Sequence, residues 1–208
     1  MSDPQPSVAV HPASGPTRAV ALVLPGGRAD SFELTESRHL SAVRMRPFSR
    51  TLHRSGRDLG LTVMQLRYRY RGWNGDEMSP VADGMWALDH ARAEYGDVPV
   101  ALVGHSMGGR TVLRIAGDAS VRGVTALAPW LPDGEPVDQL AGRKVLIAHG
   151  NLDRVTSPRG SWRYAERARA VADNVDYVTV RGDSHAMVLR AALWHRLTAR
   201  FVVRVLSS

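Results

Sequence analysis

The sequence predicts an α/β domain, with a mostly parallel central sheet of about six or seven strands and helices on both faces. Three observations carry this expectation. Short apolar runs recur along the chain, with helix-like patterns between them. The runs are aliphatic throughout, as strands covered on both faces are. The polar clusters fall just after the runs, and ligands of open parallel sheets sit beyond the carboxyl ends of the strands.

Taken in order, Ala19 to Leu24 is the first clear strand and runs into Pro25-Gly26-Gly27. Arg38 to Leu59 reads as a helix, irregular around Pro47, which lacks a backbone donor. Leu61 to Leu66 is the next strand, with a polar and aromatic end (Tyr68, Tyr70, Trp73). Ser79-Pro80 supplies an N-cap and a first-turn proline for a helix to Tyr95. Val98 to Val103 is a strand leading into the turn at Ser106, and Val112, Leu113, Ile115 and Ala116 form an apolar helical stripe behind it. Val121 to Ala128 and Val145 to Ala148 are strands ending at Pro129-Trp130 and at His149-Gly150-Asn151. Ser157-Pro158 caps a helix to Ala172, and Val175 to Val180 is the last strand. A final helix carries Leu189, Leu193, Leu197 and Phe201 on one stripe. Residues 1–17 form either a flexible arm or one short edge strand (Val8 to Val10), and residues 18–208 a single domain.

Composition narrows the function classes. The chain has 208 residues, enough for a real core, and 44% of them are hydrophobic. No apolar stretch reaches the roughly 18 residues that span a bilayer, so no membrane association is expected. The N-terminus has no signal-like hydrophobic segment, which points to the cytoplasm. The absence of cysteine removes disulfides, zinc–thiolate sites and a cysteine nucleophile. No metal-ligand spacing such as His-Glu-x-x-His occurs, and no metal or cofactor is expected. The formal net charge is +7, and of 27 basic residues only Lys144 is lysine. Nine arginines lie between Arg38 and Arg71, opposed only by Asp58. They form either a solvated helix face with a strand end or a patch that attracts an acidic substrate or partner. No helix-turn-helix, zinc-knuckle or aromatic-basic pattern accompanies them, so nucleic acid is not the expected partner.

The most informative stretch is Gly104-His105-Ser106-Met107-Gly108. Gly-x-Ser-x-Gly between a strand and a helix lifts a serine hydroxyl onto the tip of a sharp bend. Gly104 and Gly108 leave room where a β-carbon would crowd the neighbouring backbone. A serine hydroxyl needs a base to take its proton, and the base needs an anion to orient it. Both are available at strand ends: Asp153 after Val145 to Ala148, and His185 after Val175 to Val180. Asp133 and Asp138, after the preceding strand, are rivals for the acid, and Asp183 stands only two positions before His185. His105 and His149 are expected to make local hydrogen bonds. Gly104-x-x-x-x-Gly109-Arg110-Thr111 also approaches a phosphate-binding loop, but arginine stands where a point-charge lysine belongs, and no strand ends in an aspartate suited to magnesium.

With these pieces in place the chain resembles the α/β-hydrolase family, from the strand at Ala19 to the final helix. The resemblance rests on Pro25-Gly26-Gly27, the Gly104 to Gly108 turn, His149-Gly150-x-x-Asp153 and Gly182-x-x-His185. It is similar to small, lidless esterase-like or dienelactone-hydrolase-like members. The resemblance implies Ser106 as nucleophile, His185 as general base and acid, and Asp153 as the orienting carboxylate. It also implies an oxyanion hole from the backbone N–H of Met107 and that of Gly27, or of Arg28 in its place. The interval from Leu131 to Arg143, where such proteins often insert a helical lid, holds only a loop and one short helix (Val137 to Leu140), so no large lid is expected. Trp130 and Trp73, near strand ends, either line an acyl pocket or pack on the rim of the core. The expected activity is hydrolysis of a carboxylic ester on a small acyl substrate. Two alternatives are a thioesterase for acyl groups on an acidic carrier, motivated by the arginines, and a non-catalytic ligand binder on the same fold.

Overall fold

A computed structural model describes residues 4–207 of the chain. Among the described residues seven strands form one sheet: β1 (Ser7–His11), β2 (Ala19–Leu24), β3 (Leu61–Arg67), β4 (Val100–His105), β5 (Val121–Leu127), β6 (Lys144–Gly150) and β7 (Asn174–Val180). The spatial order is β1-β3-β2-β4-β5-β6-β7. Every neighbouring pair is parallel except β1 with β3, in which Ser7 stands opposite Arg67 and His11 opposite Val63. The segment 1–17 thus supplies a short edge strand, Ser7–His11, which includes Val8 to Val10, and residues 1–3 of that segment lie outside the described residues.

Five helices among the described residues cover the sheet: α1 (Leu40–Ser55), α2 (Ser79–Tyr95), α3 (Met107–Arg114), α4 (Pro158–Ala168) and α5 (Ala191–Leu206). The two-residue period of a strand sorts the core into two layers. Val20, Leu22 and Leu24 of β2 face α2, α3 and α4, packing with Leu88, Val112 and Tyr164. Ala19, Ala21 and Val23 face α1 and α5, packing with Met45, Phe48, Leu52 and Trp194. This is why the strands read as unbroken aliphatic runs: each side chain has a helix over it, whichever way it points.

Three local differences from the sequence reading have physical causes. α1 retains Pro47 in its interior and ends at Ser55, and a separate 3-10 turn covers Arg57–Leu59. β4 begins two residues later than expected, at Val100, and runs through Gly104 to His105, because pairing with β5 continues to the bend itself. Leu189 is not on the α5 stripe. It lies before the helix and is exposed, and the buried face is instead Trp194, Thr198, Phe201, Val202 and Val205. Between β5 and β6 the chain makes a loop with one 3-10 turn, Asp138–Leu140, and no lid is evident. Among the described residues no helix is long and apolar enough to cross a membrane.

The winding direction reverses after β3. The chain places β3 on one side of β2, then returns through α2 to place β4 on the other side. The loops after β2 and β4 therefore diverge and leave a crevice at their carboxyl ends, where open sheets bind ligands.

Candidate active site

The bend after β4 is held in a conformation that few residues adopt. Ser106 has φ 56° and ψ −116°, a backbone cost of about 1–3 kcal/mol that surrounding contacts must offset. Its N–H donates to Leu127 O at 3.0 Å, and its carbonyl accepts from Arg110 N and Trp130 N, each at 3.1 Å. A Cβ on Gly104 would lie 2.1 Å from Gly108 O, and one on Gly108 would lie 2.3 Å from Leu24 O. The two glycines of the motif are thus required by close approach of backbone on both sides. The serine itself is only 9% exposed, so access to its hydroxyl is through the crevice.

His185 reaches that hydroxyl from the loop after β7. Its Nε2 is 3.0 Å from Ser106 Oγ, and its Nδ1 is 2.8 Å from Asp153 Oδ2. An ionised carboxylate only accepts, so Nδ1 carries the proton and donates to Asp153. Nε2 of the neutral ring is then the acceptor, and the Ser106 hydroxyl donates to it. The ring is placed by backbone contacts as well. His105, buried beneath, donates from Nε2 to His185 O at 3.0 Å. Burial, reinforced by the neighbouring His185 and Arg44, lowers His105 from 6.5 to about 3, so it stays neutral beside the His185 ring.

The Asp153 carboxylate accepts five hydrogen bonds. Its Oδ1 accepts from the N–H groups of Val155 (2.7 Å) and Thr156 (2.9 Å). Its Oδ2 accepts from His185, from the Thr156 hydroxyl (2.9 Å) and from His149 Nε2 (3.0 Å). His149 is fully buried, and its Nδ1 accepts from Ser161 Oγ at 2.8 Å. Burial alone would raise the Asp153 carboxyl. The donors from His149, His185 and the amides of Thr156 and Val155 outweigh it and hold the group well below the usual carboxylate range. A fixed negative charge under the imidazole results.

The loops that carry Asp153 and His185 are laced together. Asn151 Oδ1 accepts from Gly182 N at 2.7 Å, and Leu152 N donates to Asp183 O at 3.0 Å. A Cβ on Gly150 would lie 2.4 Å from Asp183 O, which explains the glycine after His149. Asp183 is buried and accepts from the amides of Ser184 and Arg190 and from Trp194 Nε1. Desolvation opposes ionisation there too, but these donors keep its carboxyl below the ordinary range. It anchors the His185 loop to α5 and does not touch the imidazole. The other two rivals lie elsewhere: Asp133 is exposed and bonds Arg163, and Asp138 opens the 3-10 turn after β5.

Two backbone amides near Ser106 are left without an acceptor among the described residues. The Met107 N–H opens α3 and, as the first donor of the helix, has no partner within it. The Gly27 N–H has no acceptor among the described residues, whereas Arg28 N donates to Arg71 O at 2.8 Å. A Cβ on Gly27 would lie 2.4 Å from both Arg71 O and Met107 Cε, so the loop after β2 can approach the start of α3 only with glycine there.

Trp73 is 3% exposed and offers little surface to a ligand. It meets Trp130 edge to face, with centroids 6.1 Å apart, and the Arg110 guanidinium lies 3.7 Å from its ring centroid and 4.7 Å from that of Trp130. Arg110 and Arg114, one turn apart on α3, both bond the buried Glu135. Arg110 is thus engaged in pinning the loop between β5 and β6. Trp130 is half-buried and keeps some surface exposed. No group of three or more His, Asp or Glu that could hold a metal occurs among the described residues.

No protein-family model matches the chain, and no curated protein matches it. Solved structures do. A putative α/β hydrolase from Agrobacterium tumefaciens is 16% identical with a TM-score of 0.75, over 96% of this chain and 91% of that one. An α/β serine hydrolase homologue from Coxiella burnetii is 17% identical with a TM-score of 0.72, over 95% and 91%. A thermophilic esterase from Thermogutta terrifontis, solved with butyrate bound, is 15% identical with a TM-score of 0.69, over 96% and 89%. The chain has the α/β-hydrolase fold.

Proposed function

We propose that the protein is a serine hydrolase that cleaves carboxylic esters through an acyl-enzyme intermediate in an open, lidless site. The observation that carries this reading is one unbroken hydrogen-bond path: Ser106 Oγ to His185 Nε2 at 3.0 Å, and His185 Nδ1 to Asp153 Oδ2 at 2.8 Å. As Ser106 Oγ attacks an ester carbonyl, its proton passes to His185 Nε2. The imidazolium so formed is stabilised by the Asp153 charge. The carbonyl oxygen gains negative charge and is met by the N–H groups of Met107 and Gly27. When the carbon–oxygen bond breaks, His185 returns the proton to the departing alcohol. A water molecule then attacks the acyl-Ser106 ester with His185 again taking the proton, which releases the acid and restores the serine.

The strained backbone at Ser106 supports catalysis over simple binding, since a binding pocket has no use for a serine held at positive φ with its hydroxyl against a base. That a neighbouring fold is named an esterase and was solved with butyrate supports an ester of a short acid. The test is turnover of para-nitrophenyl butyrate by the wild type and by Ser106→Ala. The expected loss is on the order of 10⁴-fold or more in kcat. Full turnover in that variant, or labelling of it by a fluorophosphonate probe, would remove Ser106 from its role.

A further inference from the structure

The arginines between Arg38 and Arg71 do not all share one surface. Arg44, Arg46, Arg50 and Arg54 ride on α1, whereas Arg38, Arg67 and Arg71 meet Arg28 around a cavity of about 530 Å³. The cavity is bounded by the loop after β2, the approach to α1 and the end of β3, and Gly26 and Gly27 form part of its wall. It therefore opens beside the amide proposed to receive the oxyanion.

Strand order says which part of a substrate would enter it. Ser106 follows β4, the carboxylate and the imidazole come from β6 and β7, and the cavity lies over β2 and β3 on the opposite side. A leaving group must reach His185 Nε2 to collect its proton, so it departs toward β6 and β7. The acyl chain is left with the β2–β3 side. Leu40 and the half-buried Ala42 line that side and suit methylene groups, and the guanidiniums sit around them.

The charges there are only partly compensated. Arg38 pairs with Glu36 and Arg71 with Glu33, in both cases through largely exposed carboxylates. Such surface pairs are weak and exchange readily. The Arg67 Nε bonds the neutral Ser7 hydroxyl, and Arg28 has no carboxylate partner among the described residues. A guanidinium presents a planar fork that matches a carboxylate in two places.

Resting on the hydrolase reading above, we propose that this cavity selects acyl groups that end in a second, ionised acid, with Arg28 as the principal anion contact and Arg38 and Arg71 beside it. The substrates are half-esters of dicarboxylic acids, hydrolysed at the uncharged end. Glu36 is an internal competitor for the same guanidiniums.

The experiment compares two esters of equal chain length, para-nitrophenyl hexanoate and the mono-para-nitrophenyl ester of adipic acid, as a ratio of kcat/KM. The wild type is expected to favour the adipate ester, with the preference shrinking as salt rises. Arg28→Gln should lower the ratio about tenfold, and Glu36→Gln should raise it a few-fold, each about the effect of one charge-assisted contact. Damage to folding or to the oxyanion amide lowers both rates and leaves the ratio at its wild-type value. Good turnover of the hexanoate ester with no adipate preference, or a ratio unmoved by Arg28→Gln, overturns the proposal while the hydrolase reading stands. Turnover of neither ester overturns both.

Discussion

The two sides of Ser106 are built on opposite principles. On the β6–β7 side the polar atoms of the reacting groups are partnered: Asp153 accepts five hydrogen bonds, and His149 and Asp183 are buried with donors or acceptors in place. On the β2–β3 side the groups are left open: Gly27 and Arg28 line a cavity, and among the described residues the Gly27 amide has no acceptor and Arg28 no carboxylate partner. The first arrangement stores oriented charge in a low-dielectric setting, where no reorganisation is needed during reaction. The second leaves donors free for a ligand that brings its own acceptors. On the proposed hydrolase reading the contrast divides the work: one side is finished before substrate arrives, and the other is completed by it.

The largest break in this contrast comes from disturbing the finished side. Asp153→Asn keeps the shape but turns an acceptor-only group into one that also donates, so His185 loses the partner that sets its tautomer. We expect kcat for para-nitrophenyl butyrate to fall on the order of 10³–10⁴-fold with folding retained by circular dichroism. A loss below tenfold would show that the charge beneath the imidazole matters little.

Gly27→Ala tests the open side. The added Cβ would lie 2.4 Å from Arg71 O and from Met107 Cε, so the loop must move away from α3. We expect kcat to fall about 100-fold, as for loss of one oxyanion donor, along with a stability cost of about 1–3 kcal/mol in urea unfolding. A variant that keeps full kcat while losing stability would assign the second amide elsewhere.

The smallest effect sharpens the account of the buried base under the finished side. His105 is lowered from 6.5 to about 3 by burial. Below pH 6.5 the unfolded chain takes up a proton at this residue and the folded chain does not. Stability is therefore complete above pH 6.5 and declines toward pH 3, by up to about 1.4 kcal/mol per pH unit. Asp153 and Asp183, with folded values held below 3.8, add losses of their own only as the pH falls beneath that figure. Urea midpoints between pH 7.5 and 5 should thus drop in the wild type and drop less in His105→Gln. Equal slopes in the two would mean that His105 takes up its proton in the folded protein.

Legibility followed sequence distance. The elbow at Ser106 could be read because its glycines, its strand and its helix are contiguous, and because a bend of that kind tolerates few residues. Asp153 and His185 were readable by their places after strands, and the structure brings both within hydrogen-bond reach of one another. The partners that hold them were not. Thr156 carries no pattern of its own, and the bond from His149 to Ser161 joins a strand end to the first turn of α4. The stacking of Arg110 on Trp73 and its bond to Glu135 likewise join separate stretches of chain. Nothing in the spacing of Asp183 distinguishes an anchor for α5 from a simple turn residue.

By itself, then, the sequence determined the alternation of strands and helices, the sharp bend at the serine and the strand ends that carry Asp153 and His185. These depend on periodicity and on turn chemistry, which act over a few residues at a time. Only the tertiary structure decided that the Arg28 amide is committed to Arg71 while that of Gly27 is open, that Trp73 is buried beneath Arg110, and that four arginines from three segments ring one cavity. Each of those outcomes depends on which surfaces the packed sheet and helices bring together, and such contacts leave no local trace in the order of residues.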